Sequence, residues 1–261
     1  MGESNTFSLD IIEESIITDY FTPNIKSEVI FDMLLAPVIT EIIQVILNED
    51  TELIAKEFPL LNRNFSQCSE SGYRNCNIDY LLRSTDKKIW YLVELKTTES
   101  SEDKQQRDNY KDLLGKKINI YNDFVELLLH IYGKKHGSSE DSLKSVFGNI
   151  IGENCDIGNS TYSELAVQKL KSLKVTGSKK YLYTAAQLLD KGIGTSSEEI
   201  GYESLKIIYI TPNGKNNDEQ IDYISIKEII ENEKEISKKF KEKGDKKVYW
   251  QWLVNLLKTC F

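Results

Sequence analysis

Long apolar runs are missing from this sequence: nowhere do about 18 hydrophobic residues follow one another, the length a membrane-crossing helix requires. The first ten residues, MGESNTFSLD, are polar and acidic rather than basic and then apolar, so no secretory leader is expected there. The expectation is a soluble, cytoplasmic protein with no membrane partner. Cysteine is also scarce. Cys68, Cys76, Cys155 and Cys260 are too few and too scattered for a disulfide framework, and no CxxC pair offers a zinc site or an iron–sulfur pattern. They read as reduced thiols. With only His130 and His136 present, a hydrolytic site built from several histidines is excluded. There is no GxxxxGK[ST] phosphate loop and no HExxH, and Gly192-Ile193-Gly194 lacks the third glycine of a dinucleotide fingerprint.

Net positive charge is lacking too. A formal charge of −8 argues against coating nucleic acid by bulk electrostatics, which needs a basic surface. Two lysine-rich strips, residues 169–180 and 238–247, stand out from this acidic background. Each is either a solvated face or a phosphate-contacting strip.

What is present is enough for a core. At 261 residues, 40% hydrophobic and 28% charged, the chain suits one α/β domain, or a domain with a helical insertion. Residues 24–48 space their apolar side chains as a helix does and are interrupted by Pro37, which predicts two helices or one bent helix. Residues 77–84 (NIDYLLRS) and 89–96 (IWYLVELK) flank a polar connector at 85–88, which predicts adjacent antiparallel strands. Helices are expected at about 102–114 and 118–132. Residues 133–160 mix Gly, Ser, Asn and charge around a short apolar piece and read as a variable stretch. Helical material at 163–189, broken at 176–178, precedes a buried strand at 205–211 that ends at Pro212-Asn213-Gly214. A short helix suits 224–230. The C-terminal segment can bury Trp250, Trp252, Leu253, Leu256 and Leu257 along a helix, as core rather than as an interface.

Chemistry concentrates on the strand pair. Side chains alternate along a strand, so Glu94 and Lys96 share one face and Leu95 takes the other, while the neighbouring strand supplies Asp79. Phosphodiester hydrolysis needs a hard cation on oxygen ligands, a water in line with the leaving oxygen, and stabilisation of the transition-state charge. Asp79 and Glu94 are the expected Mg²⁺ ligands, with the Leu95 carbonyl as a further one and Mn²⁺ as a substitute cation. Lys96 can orient the water, help deprotonate it, or stabilise the phosphorane, and the sequence leaves these roles open. Two charges at the end of the apolar run WYLV would be costly to bury without a partner or a metal.

This pattern resembles the PD-(D/E)XK nuclease superfamily, which places an Asp on one strand of a central sheet and the (D/E)XK tripeptide on the next; here these are Ile78-Asp79 and Glu94-Leu95-Lys96. Gln106-Arg107-Asp108-Asn109-Tyr110 is similar to the QxxxY motif of the RecB-like branch, and Gln106 and Tyr110, four apart, share a helical face. No proline precedes Asp79, so the tripeptide, the QxxxY spacing and the strand context carry the resemblance. The run LKIIYITPNG also looks like the strand and turn that follow the helical segment in members of this superfamily.

The resemblance implies that Gln106 orders Lys96 or a phosphate, and that Tyr110 donates to a phosphate or an active-site carboxylate. It implies that Glu28, in SEVIFDMLLAP, completes the outer ligation of the metal, with Glu41 competing for that place. The implied fold is a restriction-endonuclease-like α/β core, a central mixed β-sheet flanked by helices, as a single domain over residues 1–261 with a helical insertion at about 118–200. The implied activity is Mg²⁺-dependent DNA hydrolysis, and because members that cut both strands often dimerise, a homodimer is among the expected partners. Lys96→Ala is expected to stop cleavage with the fold nearly intact. The alternative is a catalytically silent nucleic-acid-binding or protein-interaction module on the same fold, which an intact Asp, Glu, Lys, Gln and Tyr set speaks against.

Overall fold

Pro37 sets the first break, because its ring fixes φ and removes an N–H from the helical ladder. In the computed structural model, helix α1 (Ser27–Leu35) and helix α2 (Ile39–Ile46) lie on either side of it, as expected. The Val38 N–H closes the corner onto the Leu35 carbonyl at 2.9 Å. The structure describes residues 27–61, 75–86, 88–98, 104–114, 120–132, 140–151, 161–162, 164–166, 168, 180–193, 204–214, 218–240 and 244–261.

The strands β1 (Thr51–Leu61), β2 (Asn75–Ser84), β3 (Ile89–Leu95), β4 (Ser204–Thr211) and β5 (Asp222–Ser225) form one sheet in the order β1-β2-β3-β4-β5. Parallel neighbours need a crossover of about a dozen residues or more, so the short connector between β2 and β3 makes them antiparallel. Ser84 organises that connector: its hydroxyl donates to Asp86 Oδ1 at 2.6 Å and accepts the N–H groups of Lys88 and Ile89 at 3.1 and 2.9 Å. β4 and β5 are parallel, with Ile208 opposite Asp222 and Thr211 opposite Ser225. The sheet is therefore mixed, and the chain is α/β.

The remaining described helices are α3 (Lys104–Leu113), α4 (Ile120–Tyr132), α5 (Glu140–Ile151), α6 (Lys180–Asp190), α7 (Ile226–Glu231), α8 (Glu233–Lys238) and α9 (Gly244–Cys260). Three elements correct the sequence reading. β1 was not anticipated: Glu57 has φ +50, which breaks strand alternation, and Pro59 lies within the strand, where only an edge position tolerates it. α5 occupies part of 133–160, where buried Leu143, Val146 and Phe147 supply the helical spacing that the surrounding Gly and Ser obscure. Residues 224–230 are not all helix: Ile224 and Ser225 end β5, and α7 starts after Ser225, whose hydroxyl caps it by accepting the Glu228 N–H at 2.9 Å. Gly214 has φ +72, and a Cβ there would lie 2.5 Å from Ser225 Cβ, so this turn admits only glycine.

Contacts divide the chain into two units. The first comprises Met1–Thr51, Val93–Asp103 and Ile208–Phe261; the second comprises Glu52–Leu92 and Lys104–Ile207. In the second, α4 packs on α5 and α5 on α6, burying Phe124, Leu128, Leu143, Phe147, Leu182 and Ala186. Glu52 of β1 binds Arg83 of β2 at 2.6 Å and Lys191 at 3.4 Å. Burial raises the Glu52 carboxyl, but the hydrogen bonds and charge of Arg83, together with Lys191, outweigh it and hold it below its usual value.

In the first unit, α2, α7, α8 and α9 pack together, and Trp250, Trp252, Leu253, Leu256 and Leu257 are all buried, as the C-terminal pattern predicts. Trp250 Nε1 donates to the Glu233 carbonyl at 3.0 Å. The Tyr249 hydroxyl donates to the Leu34 carbonyl and ties α9 to α1. Among the described residues no helix is long and apolar enough to cross a membrane.

Burial pushes Tyr249 up from 10.0 to about 12. A raised folded-state value means that its contribution is whole below the unfolded value and is lost as pH climbs through the folded one. Urea unfolding between pH 9 and 12 should therefore show an alkaline loss of stability that is smaller in Tyr249→Phe, which itself loses about 1 kcal/mol at neutral pH. Identical alkaline slopes in the two proteins would show that Tyr249 does not carry the effect.

Candidate functional site

From Trp90 to Thr97 every residue is buried, and this run contains two opposite charges, Glu94 and Lys96, at 3% and 6% exposure. Apolar strand residues explain the burial of the backbone, but isolated buried charges are strongly disfavoured. Each charge answers the other: Lys96 Nζ lies 2.7 Å from Glu94 Oε1. Their two-residue spacing makes this contact available, since both project from the same face. β3 ends at Leu95, one residue earlier than the sequence suggests, yet the Lys96 N–H still bonds the Ile210 carbonyl at 2.8 Å. That bond holds the backbone beneath the lysine in place against β4. Glu94, Leu95 and Lys96 all belong to the first unit.

The second unit holds Asp79, Gln106 and Tyr110. Asp79 lies half-buried on β2 between Ile78 and Tyr80, both fully buried. Gln106 and Tyr110 lie on α3 one turn apart, and the Gln106 amide donates to the Tyr110 hydroxyl at 2.9 Å. Tyr110 is fully buried, and its hydroxyl donates to the Asn77 carbonyl at 3.3 Å. Its proton is thus directed to the main chain of β2, two residues before Asp79. This connection was invisible in the QxxxY spacing, because a main-chain acceptor leaves no sequence trace.

Glu28 lies on α1, and its side chain is outside the described residues. Glu41 on α2 is engaged elsewhere: it pairs with Lys246 and accepts from the Thr40 hydroxyl. The helix carboxylate that sequence reasoning passed over is Asp32, buried on α1 at 6% exposure and one turn after Glu28. The signal was an acid inside the apolar run VIFDMLL, since aspartate is rarely buried without a partner.

Two other features are set apart from these residues. A cleft of about 490 Å³ between α8 and α9 has Trp250 and Val254 in its walls and Lys258 and Glu233 paired at 2.6 Å on its lining. None of Glu94, Leu95 or Lys96 lines it. Of the lysine strips, residues 169–179 lie outside the described residues, while in the second strip Lys238 pairs with Glu235 at 2.5 Å and Lys246 with Glu41. Those two lysines are tied to acids of their own chain.

Among the described residues no group of three or more His, Cys, Asp or Glu side chains is assembled for a metal. Mg²⁺ commonly needs only one or two carboxylates, with water and substrate oxygens completing its shell. The oxygen donors of Glu94 and Leu95 fit such a cation in kind.

Burial changes the expectation for Lys96. Lys96→Ala removes the ammonium beside a buried carboxylate, which typically costs about 3–5 kcal/mol, whereas replacing both partners with apolar residues is close to neutral. Urea unfolding in EDTA should therefore rank Lys96→Ala well below the parent and the Glu94→Leu/Lys96→Met double variant near it. A single variant as stable as the parent would show that the pair is not buried in solution. No family model, curated protein or solved structure matches this chain.

Proposed function

We propose that the chain is a metal-dependent nuclease that hydrolyses DNA phosphodiester bonds, built on a restriction-endonuclease-like core of the PD-(D/E)XK type. The observation that carries the reading is the buried Glu94–Lys96 pair at the end of β3, the strand hydrogen-bonded to the one bearing Asp79. Opposite charges buried this deeply are often no more stabilising than an apolar pair. A role in chemistry accounts for their presence where packing does not.

In this reading Asp79, Glu94 and the Leu95 carbonyl hold Mg²⁺ or Mn²⁺, and α1 supplies an outer carboxylate from Glu28 or Asp32. When bound, the cation supplies Lewis-acid stabilisation for charge developing on the phosphate. Lys96 holds its ammonium on the same strand face as Glu94, where it orients the attacking water and stabilises charge on the non-bridging oxygens. Burial strengthens both effects by excluding competing water. Gln106 and Tyr110 support the site from α3. DNA is the partner, and a homodimer is the assembly suited to cutting both strands.

The test is cleavage of linear duplex, circular duplex and single-stranded DNA with Mg²⁺ or Mn²⁺ and with EDTA. The expected result is cation-dependent cutting that falls by about 100-fold or more in Lys96→Met. Asp79→Asn and Glu94→Gln should lose comparable activity and also require more cation. Parent-like cutting by all three variants contradicts the site. A folded parent that binds DNA without cutting it favours the catalytically silent module on the same scaffold.

A further inference from the structure

Asn77 is held from two directions within the second unit. Its carbonyl accepts the hydroxyl of Tyr110, a fully buried side chain that itself accepts the Gln106 amide. A phenol carries a single proton, so the bond received from Gln106 leaves that proton directed at Asn77. The side-chain amide of Asn77 donates to Glu57 Oε2 on β1 at 3.3 Å. Glu57 has φ +50, so β1 departs from regular extended geometry at the residue that receives this bond.

Strand alternation places the side chains of Asn77 and Asp79 on one face of β2, and fully buried Ile78 and Tyr80 on the other. An irregular neighbouring strand twists and bends locally, and the ladder beside it is correspondingly less constraining. The two side-chain bonds at Asn77 supply a constraint where the ladder is irregular. Fixing the carbonyl of residue 77 fixes the peptide plane that leads through Ile78 to Asp79.

We propose that Asn77, clamped between Tyr110 and Glu57, is a positioning residue that sets the β2 backbone presenting Asp79; its catalytic consequence rests on the assignment of Asp79 to the cation site. Asn77 touches no reacting atom in this account. It acts through the placement of Asp79, and displacement of a ligand by about 1 Å can lower a rate by on the order of 100-fold.

Two measurements on the full chain test this. Hydrogen exchange, compared between the parent, Tyr110→Phe and Asn77→Ala, should accelerate in β2 peptides spanning 75–84 while α9 stays protected as in the parent. Cleavage by the same variants should show a raised Mg²⁺ concentration for half-maximal rate with DNA affinity unchanged, and Asn77→Gln, which keeps the amide, should recover part of the loss seen in Asn77→Ala. Exchange that is unaltered, or raised equally in β2 and α9, overturns the positioning role. So does an unchanged Mg²⁺ dependence in a cutting parent and both variants. A parent that does not cut refutes the nuclease reading instead, and the exchange comparison still decides whether the clamp holds β2.

Discussion

A carboxylate and an ammonium whose side chains are 4% and 8% exposed can persist only in contact with one another or with something equally polar. The end of β3 is built around meeting that requirement. The apolar run Trp90–Val93 brings the strand inside, period-two spacing sets Glu94 and Lys96 side by side, and the Lys96 N–H bond to Ile210 continues the pairing with β4 past the last strand residue. Two well-packed aliphatic side chains at such positions are often as stabilising as a buried ion pair. The proposed chemistry rests on the depth at which this pair is buried.

The stabilising core lies in other residues. In the first unit, α9 contributes Trp250, Leu253, Leu256 and Leu257, anchored by the Trp250 and Tyr249 hydrogen bonds. In the second, the helices α4, α5 and α6 bury their own aliphatic faces. Each unit thus has apolar packing of its own, and each carries part of the candidate chemistry: Glu94, Lys96 and Asp32 in the first, Asp79, Gln106 and Tyr110 in the second.

Legibility in the sequence followed the strength of local signals. Pro37 marked the break between α1 and α2, and the apolar strands around 85–88 marked the β2–β3 hairpin, because both depend on residues adjacent in the chain. The tripeptide of Glu94, Leu95 and Lys96 was visible for the same reason. β1 was not, since Glu57 at positive φ and Pro59 both violate the pattern by which strands are recognised. β5 is only four residues long, too short for alternation to register. The Tyr110 bond to Asn77 depends on tertiary packing and could not be read from spacing, whereas buried Asp32 did leave a trace, an acid within the apolar run VIFDMLL.

The most direct test of the central claim is anomalous diffraction from crystals of the protein soaked in Mn²⁺. A manganese peak bounded by the Glu94 carboxylate and the Leu95 carbonyl is expected, with the Lys96 ammonium displaced from its 2.7 Å contact with Glu94. Lys96 still clasping Glu94, with no anomalous peak at that strand end under saturating Mn²⁺, would contradict it.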